Sequence, residues 1–213
     1  LRAISRYIAL LAEGIIVVSD SLGNLLPKSC KFHVIPDGID LDLFTSQSKK
    51  AARSKLGLPS DKKLILFAGN PDMPEKRFEL AQKAVHVLKK KLADIELITV
   101  KKLPHRAIPL YLNACDVLLL TSWHEGSPNI IKEALACNLP VVSVDVGDIS
   151  RYIGKIKGCV LCRDNQPETI SKALERILCE DIPIRGRDSI VDLDIHITIQ
   201  KIIAIYESVL TKY

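Results

Sequence analysis

Two glutamates, Glu125 and Glu133, stand on either side of Gly126-Ser127-Pro128, and this is the pattern in the 213-residue chain best suited to chemistry. Ser127 reads as a helix N-cap and Pro128 as a first helical residue, so a helix is expected to start there. The amides of Asn129 and Ile130 would then be free, and a helix start of this kind holds phosphate through unpaired N–H groups and the helix dipole. Gly126 would let a ligand approach the backbone closely. Glu133 would lie about 7 Å along the axis from Pro128, so the two carboxylates could grip hydroxyls on both sides of a diphosphate. From composition alone, Glu133 reads equally well as a solvent-facing helix residue beside Lys132, and Glu125 as a loop charge.

A second segment supplies the opposite charge. Gly69 and Asn70 end an apolar run, and Lys76 and Arg77 follow at the expected start of a helix, where the dipole disfavours cations. A nearby anion would account for them. They read equally as one surface pair among 30 basic residues.

The elements that carry these residues alternate. Apolar runs at Lys63–Ala68, Ile95–Val100, Asp116–Thr121, Pro140–Asp145 and Cys159–Cys162 read as strands. Between and after them, helices are expected at Glu75–Leu92, Ala107–Ala114, Asn129–Cys137, Gln166–Leu178 and Ile195–Lys212. Strands that are apolar throughout belong in a parallel sheet covered on both faces. The fold class is therefore α/β, a doubly wound, Rossmann-like parallel sheet of about five strands. Ligands collect at the carboxyl ends of such strands. Before this pattern lie a helix at Ser5–Ala12, a strand at Gly14–Ser19, an extended run at Lys31–Ile35, the turn Pro36-Asp37-Gly38 and a short helix at Lys49–Leu56. Pro36–Lys50 reads as a hinge.

Composition narrows the function classes. The chain is 47% apolar and 26% charged with a net charge of +5, and its 30 basic residues are interspersed with 25 acidic ones. That suits an anionic ligand and argues against nucleic acid. The apolar stretches are too short to span a bilayer, and no secretory signal is read. Six cysteines are read as reduced thiols, with Cys115, Cys137 and Cys179 as small buried hydrophobes. Cys159 and Cys162 suggest half a zinc site, but read better as positions on a strand; no metal is expected. The chain opens on Leu1 and holds one methionine, Met73, so it is expected to be a piece of a longer protein.

The segment Glu125-Gly-Ser-Pro-Asn-Ile-Ile-Lys-Glu133 and the residues after it resemble the E-x7-E signature of family 4 retaining GT-B glycosyltransferases (glycosyl transferases group 1). Three other segments fit in order: Val34–Phe44 at the hinge, Glu75-Lys76, and Tyr111–Ser122. The resemblance covers residues 13 to about 178. It implies the C-terminal, donor-binding half of a GT-B fold, with residues 1–36 as the end of an N-terminal acceptor domain and linker, and 37–213 as the sugar-nucleotide-binding domain with its C-terminal helix.

By position, the resemblance makes Glu125 and Lys76 catalytic, Glu125 on donor-sugar hydroxyls and Lys76 on the diphosphate leaving group. Glu133 would hold the ribose. Gly69, Asn70, Arg77, Gly126, Ser127, Pro128, Asn129 and Ile130 complete the donor site. The donor would be a UDP-, GDP- or ADP-sugar, the product a hexosylated glycan or glycolipid, and no cofactor is implied. The remaining expectations are a cytoplasmic location at the inner face of a membrane with peripheral contact, a separate acceptor domain as partner, and no transfer by these residues alone.

Three departures stand out. Asn70 replaces the usual arginine in a loop about two residues longer, so Arg77 is expected to take the second phosphate contact. Gly147-Asp148-Ile149-Ser150-Arg151 replaces the usual Gly-Gly-Ile-Pro-Glu. The helix and strand usual between Val100 and Tyr111 are absent, so the sheet order should be 2-1-3-4-5, with the crevice between the Lys63 and Asp116 strands. The alternative reading is a stand-alone nucleotide-sugar-binding module without transferase activity. A sugar-nucleotide epimerase fits the hinge and the glutamates less well.

Overall fold

The computed structural model describes residues 2–180 and 182–211, with backbone alone for 2–6. Leu1, Asp181, Lys212 and Tyr213 lie outside the described residues, so the expected helix end at Lys212 and both outer domain bounds fall there. In chain order the elements are α1 (Arg2–Leu11), β1 (Ile16–Val17), α2 (Asp20–Gly23), β2 (His33–Val34), α3 (Lys49–Leu56), β3 (Lys63–Phe67), α4 (Phe78–Lys89), β4 (Ile95–Thr99), α5 (Ile108–Ala114), β5 (Val117–Leu120), α6 (Asn129–Ala136), β6 (Val141–Val144), α7 (Ile149–Ile153), β7 (Val160–Cys162), α8 (Pro167–Glu180) and α9 (Ile195–Leu210).

Five strands form a parallel sheet in the order β4-β3-β5-β6-β7, which is the expected 2-1-3-4-5. Alternation along each strand splits the core in two, because successive side chains point to opposite faces. Leu64 and Leu66 of β3 and Leu118 and Leu120 of β5 pack towards α5, α6 and α7. Ile65, Phe67, Val117 and Leu119 pack towards α4 and α8. Both faces are covered, so the strands contain no polar stripe. β1 and β2 pair separately as a two-stranded parallel sheet.

The segment expected as the hinge runs across the α6 side of this core. Ile39 and Phe44 are buried in it, and Ile39 exchanges backbone hydrogen bonds with Leu193 and Ile195 at the start of α9. Arg187 clamps the segment by donating to the carbonyls of Leu41 (2.7 Å) and Phe44 (2.6 Å). Among the described residues no helix is long and apolar enough to cross a membrane. Cys115 and Cys137 are buried and burial pushes each thiol up to about 12. Cys179, expected inside, is exposed on the outer side of α8.

The expected single helix over Glu75–Leu92 is broken. Pro74–Lys76 form a 3₁₀ turn, Arg77 adopts φ 50°, and α4 begins at Phe78. The cause is tertiary: the Thr121 hydroxyl donates to the carbonyls of Lys76 (2.9 Å) and Arg77 (3.1 Å), while the Trp123 amide donates to the Glu75 carbonyl. The loops after β3 and β5 are thereby joined side by side.

At the opposite end of the sheet, Arg53 of α3 fixes the start of β3. It pairs with Asp116 at 2.7 Å and donates to the carbonyls of Ala114, Ser60 and Lys62. Asp116 also accepts the Leu64 amide. Asp116 also pairs with the half-exposed Lys49 at 2.6 Å, so removing Arg53 leaves it one cation, while the carbonyls of Ala114, Ser60 and Lys62 lose their donor. Arg53→Met is therefore expected to lower unfolding free energy by about 1 to 3 kcal/mol, the cost of buried groups left without a partner, in urea denaturation. A loss below about 1 kcal/mol, the range of a surface pair, would show that Lys49 alone satisfies Asp116.

Candidate functional site

The crevice opens where the topology requires, between the carboxyl ends of β3 and β5. A cavity of about 220 Å³ is lined by Phe67, Ala68, Gly69, Lys76, Thr121, Ser122, Glu125, Pro128, Asn129 and Ile130 among others. A second hollow of about 210 Å³, lined by Gly69, Asn70, Val100, Lys102, Leu103, Ile108, Ile130 and Glu133, shares Ala68, Gly69 and Ile130 with the first. The two make one cleft, with Glu125 at one end, Glu133 at the other, and the start of α6 between them.

That helix start differs from expectation by one residue. Pro128, with φ −68° and ψ 114°, is the N-cap, and Asn129 is the first helical residue. Pro128 stays extended, so Ser127 does not cap; its hydroxyl is buried. The consequence for ligand binding is unchanged. Ile131 donates to the Pro128 carbonyl, and the amides of Asn129 and Ile130 precede the first intrahelical bond, as the first N–H groups of any helix do.

The two charged residues at the Glu125 end face each other. Lys76 Nζ lies 2.7 Å from Glu125 Oε1, with side chains 28% and 15% exposed. Arg77 is not brought to this cleft. Its Nε donates to the Thr121 carbonyl, its Nη2 to Asn165 Oδ1 at 3.0 Å, and its guanidinium lies 5.1 Å from the centre of the Trp123 ring. The αL turn at Arg77 directs the side chain to the neighbouring groove beside Met73 and Trp123, away from the second phosphate contact expected for it. Asn70 lines the Glu133 end of the cleft, and its Oδ1 accepts the Asp72 amide.

Glu133 is not a solvent-facing helix residue. Its side chain is 7% exposed and its Oε1 lies 2.8 Å from His105 Nε2. Burial holds the carboxyl above the usual glutamate range, and the His105 contact opposes that shift. His105 escaped the sequence reading because nothing in its local spacing links it to Glu133. Lys132, its neighbour on α6, is fully buried as well. Gly147 adopts φ 61°, and a Cβ there would lie 2.7 Å from the Gly126 carbonyl oxygen. The loop after β6 therefore braces the loop that carries Glu125. Among the described residues no cluster of three or more His, Cys, Asp or Glu side chains is placed to hold a metal ion.

The fold and cleft define a Rossmann-like domain of the kind found in GT-B glycosyltransferases. Residues 98–180 match the family Glycosyl transferases group 1. TuaC of Bacillus subtilis (strain 168), named for teichuronic acid biosynthesis, is 31% identical over 188 residues, covering 80% of this chain and 48% of its own. The chain thus spans about half the length of the curated relatives it matches. Sucrose-phosphate synthase from Thermosynechococcus elongatus superimposes with a TM-score of 0.84 at 20% identity, over 100% of this chain and 62% of that one. HepE of Anabaena, solved with UDP and glucose, gives 0.78 at 15% identity, over 97% and 66%. These structures share the fold, and the sequence matches support the family.

The buried Glu133 gives a pH signature. An acid whose folded pKa is raised is favoured by folding when protonated, so its contribution is fully present below its unfolded pKa and is lost as pH rises through the folded one. Ionised Glu133 therefore costs stability at neutral pH. Glu133→Gln is expected to melt at or above the wild-type temperature at pH 7, and to lose that advantage once acid protonates the wild-type carboxyl. A variant less stable at pH 7 than at pH 4, relative to wild type, would show that the His105 contact outweighs burial.

Proposed function

We propose that this chain is the donor-binding half of a retaining glycosyltransferase that moves a hexose from a nucleoside diphosphate sugar to a glycan or glycolipid. The observation that carries the reading is one cleft with the free amides of Asn129 and Ile130 between Lys76–Glu125 at one end and Glu133 at the other. The family match and a fold neighbour solved with UDP and glucose support it. The retaining course rests on the resemblance of the Glu125–Glu133 segment. Domain bounds at 1–36 and 37–213, and location at the inner face of a membrane, are part of the same proposal.

In this reading the diphosphate sits on the α6 amides, the ribose hydroxyls on Glu133 and the hexose hydroxyls on Glu125. Gly69 and Gly126 let backbone approach the ligand. As the bond from the sugar C1 to the diphosphate oxygen breaks, the electron pair and the charge pass to the diphosphate. A fixed cation and a helix start stabilise that charge where it develops. The sugar C1 then bonds to the acceptor oxygen, whose proton is lost. The chain's residues are proposed to bind the donor without turning it over, with the acceptor side placed in the half of the relatives' length that these residues do not match.

Lys76 gives the site a sharper test than its charge alone. Before the donor arrives it neutralises Glu125, so placing it on a phosphate means giving up that partner. Lys76→Ala is expected to weaken UDP by about 1.5 to 3 kcal/mol, the range for a charge-assisted contact, and UMP much less. Equal losses for UDP and UMP in calorimetry would remove Lys76 from the diphosphate.

The two glutamates separate under the same titrations. Glu133→Gln is expected to weaken UDP and UDP-glucose alike, by about 1 to 3 kcal/mol, because both carry the ribose. Glu125→Gln should weaken UDP-glucose while leaving UDP unchanged or tighter, since it frees Lys76 from its resting partner. UDP weakened as much as UDP-glucose by Glu125→Gln would overturn the assignment of Glu125 to the hexose.

A further inference from the structure

Lys132 is among the largest fully buried side chains of the protein, at 0% exposure. It belongs to the second turn of α6, next to Glu133, yet it points away from the donor cleft. Its Nζ donates to the Asp37 carbonyl at 3.3 Å, in the segment read as the hinge, and lies 5.8 Å from the centre of the Tyr152 ring. Burying an ammonium costs several kcal/mol, and an apolar side chain of similar volume is often equal or better for stability. Burial lowers the Lys132 pKa, and the charges of Asp37, Asp148 and Glu133 oppose that shift.

The surroundings are unusual in a second way. Ser127 Oγ, both carboxylate oxygens of Asp148 and the Tyr152 hydroxyl are buried together, with Tyr152 interacting with both Ser127 and Asp148. Buried polar groups of this kind need partners. Here they come from three pieces of the molecule: the α6 approach, the loop after β6, which packs against the loop carrying Glu125, and α7. The ammonium has three donors, of which one is used on Asp37. The other end of α6 reaches the same segment, because Arg187 donates to the carbonyls of Ala136 (3.3 Å) and Phe44 (2.6 Å). Segment 37–44 is therefore held to α6 by two cations on backbone carbonyls, one near each end of the helix.

We propose that Lys132 is a positioning residue that ties the first turns of α6 to segment 37–44, so that a nucleotide seated on the α6 amides changes the order of that segment. The proposal rests on the donor reading of the cleft. It explains why a buried charge occupies a place that a methionine would fill: its cost is offset by a link between the ligand site and the segment that leads out of the domain.

Hydrogen–deuterium exchange of the whole chain, with and without saturating UDP, tests it. In wild type, UDP is expected to slow exchange both at 129–133 and at 37–44, the latter by about threefold or more, an opening-equilibrium change of at least about 0.7 kcal/mol. Lys132→Met should bind UDP within about threefold of wild type and keep the effect at 129–133, but lose it at 37–44. The double variant Lys132→Met/Asp148→Asn, which leaves no stranded carboxylate, serves if the single one fails to fold; should neither fold, the wild-type response at 37–44 decides. A 37–44 response that survives in either variant, or that is missing in wild type while 129–133 responds, overturns the proposal. No response at 129–133 and no UDP binding would instead remove the donor reading, and the coupling with it.

Discussion

A helix cannot satisfy its own first amides, and the site is arranged around that constraint. The amides of Asn129 and Ile130 sit at the carboxyl end of the sheet because β5 leads directly into α6 through Thr121–Pro128. Pro128 removes one donor and holds the chain extended, and Ser127, which could have capped the helix, is turned into the interior. The helix start is left to be completed from outside. The rest of the cleft follows: β3 must end beside it to bring Gly69, the 3₁₀ turn must present Lys76, and the loop after β6 must brace Gly126 through Gly147.

Charge within the cleft is arranged in two different ways. At one end Lys76 and Glu125 neutralise each other at 2.7 Å, so neither is stranded while the cleft is open to water. The pair is partly exposed, where such contacts are worth little, and exchanging Lys76 onto a phosphate costs correspondingly little. At the other end Glu133 has one histidine and a surrounding of apolar side chains, and burial raises its pKa. A carboxylate held in this way is a strong acceptor for a pair of hydroxyls, at the expense of the folded state. The two glutamates of one sequence motif are thus different in character, one shared with a cation and adaptable, the other fixed and strained.

Much of this was legible in the sequence because the sheet is buried on both faces. Continuous apolar runs mark its strands, and the shortened link between Val100 and Tyr111 sufficed for the order β4-β3-β5-β6-β7. Boundaries failed where long-range contacts decide them. Glu75–Leu92 has an unbroken helical period, yet Thr121, 44 residues beyond Arg77, takes the carbonyls at the break. Ser127-Pro128 looks like a cap and a first turn, yet Pro128 keeps an extended ψ. Of the two readings open for Glu133, a site residue or a solvent-facing charge beside Lys132, burial removes the second, and no local pattern reveals that both neighbours are buried. The direction of Arg77 was equally hidden, because it depends on one left-handed residue and on Trp123.

The short link after β4 has a consequence for the Glu133 end of the cleft that its brevity alone did not reveal. With no extra helix and strand after β4, the chain passes in a few residues from Val100 over the top of the sheet to α5, through a left-handed Lys102 and a single 3₁₀ turn at His105–Ala107. This brings His105 against Phe44, with ring centroids 5.2 Å apart, and its Nε2 onto Glu133. Phe44 closes the segment that Lys132 and Arg187 hold to α6. One short connection therefore links the Glu133 carboxylate to the segment that carries Phe44. Without that short turn Glu133 would need another donor to offset its burial. A single histidine thus serves the cleft, through Glu133, and the segment of Phe44 together.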